Sequence, residues 1–173
     1  MTTSTLGRIF INFRAQDEPG FAALLQRELS RTFGSNRVFY AGMTIRPGDD
    51  FQVRLLEGVR QAAVLLAVIG PRWLTAPHPL GGRALDRETD WIRREIAEAF
   101  ANNVRVVPIL VDDTERLTDT AIPTDISALA RCQYLRLRHN DLEYDLMRIV
   151  ENLQAIVDGP DYRLHRSDAV SHR

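Results

Sequence analysis

Lysine is absent from this chain of 173 residues, and its 22 basic residues are all arginine. That absence excludes a Schiff-base lysine, a lysine general base and the phosphate-binding lysine of a P-loop. Cysteine is almost as scarce. Cys132 alone cannot form an internal disulfide or a multi-thiolate zinc site, so a reducing, cytoplasmic compartment is expected. An excess of positive charge is missing too: 22 basic residues face 23 acidic ones, for a formal net charge of -1. Phosphate neutralisation needs clustered positive charge, so no nucleic-acid partner is expected. The longest apolar run, Ala62 to Ile69, is far shorter than the roughly 20 residues that span a bilayer, which predicts no transmembrane helix and no membrane partner. The polar stretch Met1 to Leu6 runs straight into a strand pattern, so no secretory leader is expected.

What is present, 45% hydrophobic and 26% charged residues, fits one compact domain. Arg8 to Phe13, Arg37 to Tyr40, Ala62 to Ile69, Val104 to Val111 and Gln133 to Leu137 read as five strands. Pro108 lacks a ladder donor, so pairing of the fourth strand is expected to end near Val107. Between the strands, Phe21 to Phe33, Phe51 to Val59, a segment starting near Asp90, and Asp141 to Ile156 carry helical spacing, with one helical turn from Asp125. Residues 70 to 89, with three prolines and three glycines, form a loop long enough to be functional. Residues 1 to 156 are expected to form the domain and 157 to 173 a polar tail or linker. Alternating strands and helices with right-handed crossovers predict an α/β three-layer sandwich. Its five-stranded parallel sheet takes the flavodoxin-like order 2-1-3-4-5. Ligands bind such sheets beyond the carboxyl ends of the strands, where connections diverge from the first and third strands.

Several chemistries fail on their motifs. There is no G-x-G-x-x-G after the first strand, no G-x-S-x-G elbow, and no ligand-like spacing among His78, His139, His165 and His172, so no metal site is expected. A phospho-acceptor receiver needs an acid after its third strand and a lysine, and Ile69-Gly70 with no lysine excludes it. A flavin carrier needs a hydroxyl-rich first loop, and Arg14 to Gly20 holds no serine or threonine.

Trp91 and Glu95 remain, as i and i+4 neighbours in the first turns of the third long helix, at the rim of its Ile92/Ile96 stripe. By periodicity alone they read as sheet-margin packing and a solvated carboxylate. In order along the chain, five blocks then resemble a bacterial TIR (Toll/interleukin-1 receptor) domain. They are Phe10 to Arg14 with Asp17, Val38-Phe39-Tyr40, Arg46 to Phe51, Gly70 to Leu74, and Trp91 to Glu95. The likeness runs from about residue 7 to residue 156. It implies the same fold, with residues 41 to 50 as the BB loop, in which Gly42, Ile45, Pro47, Gly48, Asp49 and the following Phe51 serve assembly. It also implies that Glu95 stands where NAD-cleaving TIR enzymes carry their catalytic glutamate.

That chemistry suits one carboxylate. Nicotinamide leaves oxidised NAD as a neutral molecule and needs no general acid, whereas an O-glycoside usually needs two carboxyl groups. An ionised carboxylate in a dry site stabilises the oxocarbenium ion on the ribose, and a helix N-terminus favours the anion. The expected activity is cleavage of NAD+ as substrate, with no cofactor, giving nicotinamide and ADP-ribose or a cyclic product. Arg14 is a candidate diphosphate contact, equally readable as a salt bridge to Asp17 or Glu18. Phe13, Trp73 and Trp91 are candidate walls for nicotinamide or adenine, each also readable as packing. Arg46 is a further candidate substrate contact. The chain departs from the enzyme pattern at Ala41 and Arg46, where acids are frequent, and carries Asn12 and Phe13 in place of a common serine and tyrosine. The resemblance further implies self-association, a sensor domain or partner protein, and a role in bacterial antiviral immunity. The alternative function is a non-enzymatic TIR-TIR scaffolding module.

Overall fold

The structure is a computed structural model that describes residues 7–40 and 47–159. Its sheet contains β1 (Arg8–Phe13), β2 (Val38–Phe39), β3 (Ala62–Ile69), β4 (Arg105–Val111) and β5 (Leu135–Leu137), all parallel, in the order β2-β1-β3-β4-β5. This is the flavodoxin-like sandwich anticipated from the pattern. The edge strands β2 and β5 are shorter than their β-rich runs. Pairing does not stop at Val107: β4 stays in register with β3 as far as Ile69 opposite Leu110. Pro108 is accommodated because β5 joins β4 only from Ile109, opposite Leu135, which leaves one flank of the proline outside any ladder.

Alternation divides the sheet's side chains between two cores. Phe10, Leu65, Ala67, Ile69, Val106 and Leu110 point to the layer of α2 (Phe51–Arg60) and α3 (Trp91–Ala101), where Leu55, Val59, Ile96 and Ala99 meet them. Ile9, Ile11, Val64, Leu66, Val68 and Ile109 point to the layer of α1 (Pro19–Phe33) and α4 (Leu142–Val157). There Leu25, Leu29, Ile149 and Leu153 supply the apolar stripes at helical spacing. The first helix begins at Pro19, before its apolar periodicity, because the fixed φ of proline suits the first helical position. Asp50 and Asp90 cap α2 and α3 by accepting from the N–H groups of Val53 and Arg93, both at 3.1 Å. The single turn expected from Asp125 is a longer 3-10 segment, Thr124–Arg131.

The connections at the carboxyl ends of β1 and β3 are tied by one buried carboxylate. Asp17 accepts from the backbone N–H of Gly70 at 2.7 Å and of Arg72 at 2.8 Å, while Arg72 donates back to the Asp17 carbonyl at 2.8 Å. Position 70 has to be glycine, since a Cβ there would run into the Asp17 carboxylate and Cγ of Glu18. Replacing Asp17 by alanine leaves two buried amides without acceptors. It should cost about 2–4 kcal/mol and lower the Tm by roughly 5–15 °C, as read by urea and thermal denaturation.

Candidate active site at the start of α3

The first turns of α3 lie against the end of β1, and two residues there, Asn12 in β1 and Arg14 just after it, reach across to them. Asn12 is buried; its Nδ2 donates to Oε2 of Glu95 at 2.6 Å and to the carbonyl of Ile92 at 3.3 Å. Two residues on, Arg14 makes a bidentate pair with Asp90, its Nη1 and Nη2 donating at 2.9 and 2.8 Å. Asp90 thus caps the helix with the same carboxylate that binds the guanidinium. Residues 12 and 14 at the end of β1 and 90 and 95 at the start of α3 form a polar patch beside an apolar layer.

Glu95 is only 5% exposed, and Asn12 is its one hydrogen-bond partner among the described residues. Burial is the largest influence on its carboxyl, and the charge of Asp90 adds to it; together they outweigh the Asn12 hydrogen bond and push the pKa up to about 8. Burial thus works against the ionised form expected at a helix N-terminus, and with a pKa raised to about 8 the unliganded protein at neutral pH favours the neutral acid.

The other candidate residues divide. Trp91 is partly buried at the same helix start; Phe51 meets its ring edge-on at 5.8 Å, and the Arg94 guanidinium sits 4.0 Å from its centroid. Arg14 is buried and committed to Asp90, neither free for a diphosphate nor paired with Asp17 or Glu18. Phe13 points to the opposite face of the sheet from Glu95, where it stacks on Tyr40 at 5.0 Å. Strand alternation forbids it from sharing a wall with Asn12. Trp73 is 0% exposed within the α2/α3 core, so in this arrangement it packs the interior and presents no wall. Of the BB-loop residues, Pro47, Gly48 and Asp49 precede the α2 cap, and Phe51 opens α2 at 48% exposure. Gly42, Ile45 and Arg46, like Ala41, lie outside the described residues.

Asn12 and Asp90 complete the patch without having been singled out as site residues. The signal for Asn12 was a polar side chain on the buried face of an apolar strand, which needs a partner. Asp90 was legible as a helix start, but its pairing with Arg14, 76 positions away, was not. Nor is the patch part of the cleft of about 590 Å³ at the ends of β3 and β4, lined by Glu18, Gly70, Leu74, Asp112, Thr114 and Leu117 among others. In that cleft burial, then the neighbouring Asp17 and Asp112 charges, raise the Glu18 carboxyl above its ordinary range, with Arg72 opposing. Among the described residues this concavity lies over the carboxyl ends of β3 and β4 and also touches Glu18 in the connection after β1. Among the described residues no cluster of His, Cys, Asp and Glu is placed to hold a metal ion, and no helix is long and apolar enough to cross a membrane.

Two outcomes follow from this electrostatics. Arg14→Ala or Asp90→Ala alone should cost about 3–5 kcal/mol by stranding a buried charge, and the double variant clearly less than the sum, as measured by a urea double-mutant cycle. Glu95 is neutral more readily in the folded than in the unfolded chain, so it removes stability progressively as pH rises from about 4.5 to about 8. Glu95→Gln should therefore stabilise the protein at pH 9 by more than at pH 5.

A TIR-domain family model matches residues 9–150. No curated protein matches the sequence. Among solved structures, the TIR domains of the activated Roq1 resistosome, which recognises the pathogen effector XopQ, superpose with a TM-score of 0.63 at 12% identity, covering 85% of this chain and 99% of that one. A metazoan TIR-STING receptor from C. gigas, solved with 2',3'-cGAMP, gives a TM-score of 0.54 at 16% identity over 80% of this chain and 38% of the receptor. At these identities the structures speak for the fold, and the match over residues 9–150 speaks for the lineage: the chain belongs to the TIR-domain family.

Proposed function

We propose that this TIR domain cleaves the nicotinamide-ribose bond of NAD+, with Glu95 as the catalytic carboxylate. The observation that carries the reading is a single glutamate held in a dry site at the start of α3, hydrogen-bonded from β1 and next to a tryptophan one helical turn back. Such a carboxylate gains most where positive charge develops. The nicotinamide-ribose centre is cationic before the bond breaks and oxocarbenium-like as it breaks, and burial strengthens its attraction to the carboxylate. An approaching cation favours the ionised form of a nearby carboxyl, so the substrate itself draws the Glu95 pKa down from about 8.

With Glu95 buried as described, substrate access requires a rearrangement at the start of α3, where the half-exposed Phe51 lies edge-on to Trp91. Attack by water then gives ADP-ribose; attack by the adenine of the same molecule gives a cyclic product. We assign Arg46 and the rest of the BB loop to assembly and substrate contact between copies in the cytoplasm of a bacterium. Such assembly would serve immune signalling triggered by a sensor domain or partner protein. That role is drawn by analogy with a resistosome that recognises a pathogen effector and a receptor solved with 2',3'-cGAMP.

A second reading, a scaffolding module without turnover, draws on Phe51 and Val53, which both expose apolar side chains on the first turn of α2. The two separate in one assay. Micromolar protein incubated with NAD+ should release nicotinamide, with the co-product identified by chromatography, and Glu95→Ala or Glu95→Gln should lose at least about 100-fold. In the native protein kcat/KM should rise roughly tenfold per pH unit below about 8 and level off above it, because the free protein must first ionise Glu95. Variants as active as the native chain would end the assignment of Glu95, and no release by the native chain would leave the scaffold.

A further inference from the structure

Asn12 occupies a position that packing would give to an apolar side chain. It follows Phe10 on the same face of β1, is buried, and leaves its own Oδ1 without a hydrogen-bond partner. Its amide nitrogen is fully used: one hydrogen lies toward the Ile92 carbonyl and the other toward Glu95. The Ile92 carbonyl can only accept, so it fixes which way the amide is turned, with Nδ2 and not Oδ1 facing the carboxyl. This matters because the two ends of an amide favour different protonation states. An N–H donor binds a carboxylate most strongly, whereas an amide oxygen binds only the protonated acid.

We propose that Asn12 is a positioning residue for Glu95, pinned by the Ile92 carbonyl so that it holds the carboxyl on the β1 side and favours its ionised, acting form. The proposal rests on the reading of Glu95 as the acting carboxylate. The surroundings leave the task to Asn12. On α3 itself Asp90 opposes ionisation. From β1, Arg14 is held by Asp90, and on α3 Arg93 is taken up by Asp125 of the 3-10 segment. Arg94 lies over the Trp91 ring. The faces that β3, β4 and α2 turn to this layer are apolar, through Leu65, Ala67, Leu110 and Leu55. Among the described residues no other side chain donates to Glu95.

The test reads the carboxyl directly. With 13C-labelled glutamate, the Glu95 side-chain resonance, assigned by its loss in Glu95→Gln, should titrate near pH 8 in the native protein. In Asn12→Leu, which keeps volume and removes the donor, the midpoint should move up by about one to two pH units. Asn12→Ser, which keeps a shorter donor and covers the case that the leucine variant does not fold, should move it less. The acid limb of kcat/KM against pH should shift with the midpoint in each variant, with activity recovered above the shifted limb. A merely structural Asn12 would lower activity equally at every pH and leave the midpoint in place, and that result would overturn the proposal. Should the native protein release no nicotinamide at any pH, the proposed function fails, while the carboxyl titration still decides whether Asn12 governs Glu95.

Discussion

The bidentate pair between Arg14 and Asp90 joins the end of β1 to the first turn of α3, and the candidate site is built around it. One carboxylate does two tasks there: it caps the helix and it neutralises the guanidinium. Because both groups are buried, neither task can be given up without leaving a charge in a low-dielectric layer. The relative placement of strand and helix is therefore set at two points, by Arg14 on Asp90 and by Asn12 on Glu95. The apolar contacts of the same layer bring α3 to the sheet. The polar contacts decide where along β1 the helix begins.

This arrangement accepts a cost. A glutamate buried on the inner side of α3 would be better replaced, for stability alone, by a neutral residue, since burial pushes its pKa up to about 8. On the proposed function, stability and chemistry pull in opposite directions at one side chain. Asn12 moderates the conflict without removing it. The orphaned Asn12 Oδ1 and Arg14 Nε belong to the same compromise, since two polar side chains enter a core layer that satisfies only some of their atoms.

Much of the architecture was legible in residue order. The run Ala62 to Ile69, apolar on both faces, had to be a central strand, and the strand-helix alternation left one economical topology. Local rules failed where a distant partner decides. Pro108 was read as a terminator because the register of β5 is not written near it. Trp73, in a loop rich in proline and glycine, looked available to a ligand, but the fold closes the α2/α3 core over it. For Arg14 the nearest acids in sequence were Asp17 and Glu18, yet Asp17 is used by backbone amides of the β3 loop and the guanidinium turns to Asp90. Phe13 needed only the period-two rule to be placed on the far face. Glu95 was found by spacing and likeness, whereas its neutral resting state depends on a degree of burial that no local pattern reports.

The brevity of the two outer strands carries one more consequence. With β2 limited to Val38–Phe39 and β5 to Leu135–Leu137, neither margin of the sheet offers a long row of open backbone groups among the described residues. Short margins are a way of preventing uncontrolled strand addition, by which the sheets of separate molecules fuse. An encounter with another protein then falls to loops and helix faces, whose side chains discriminate between partners as an open backbone edge cannot.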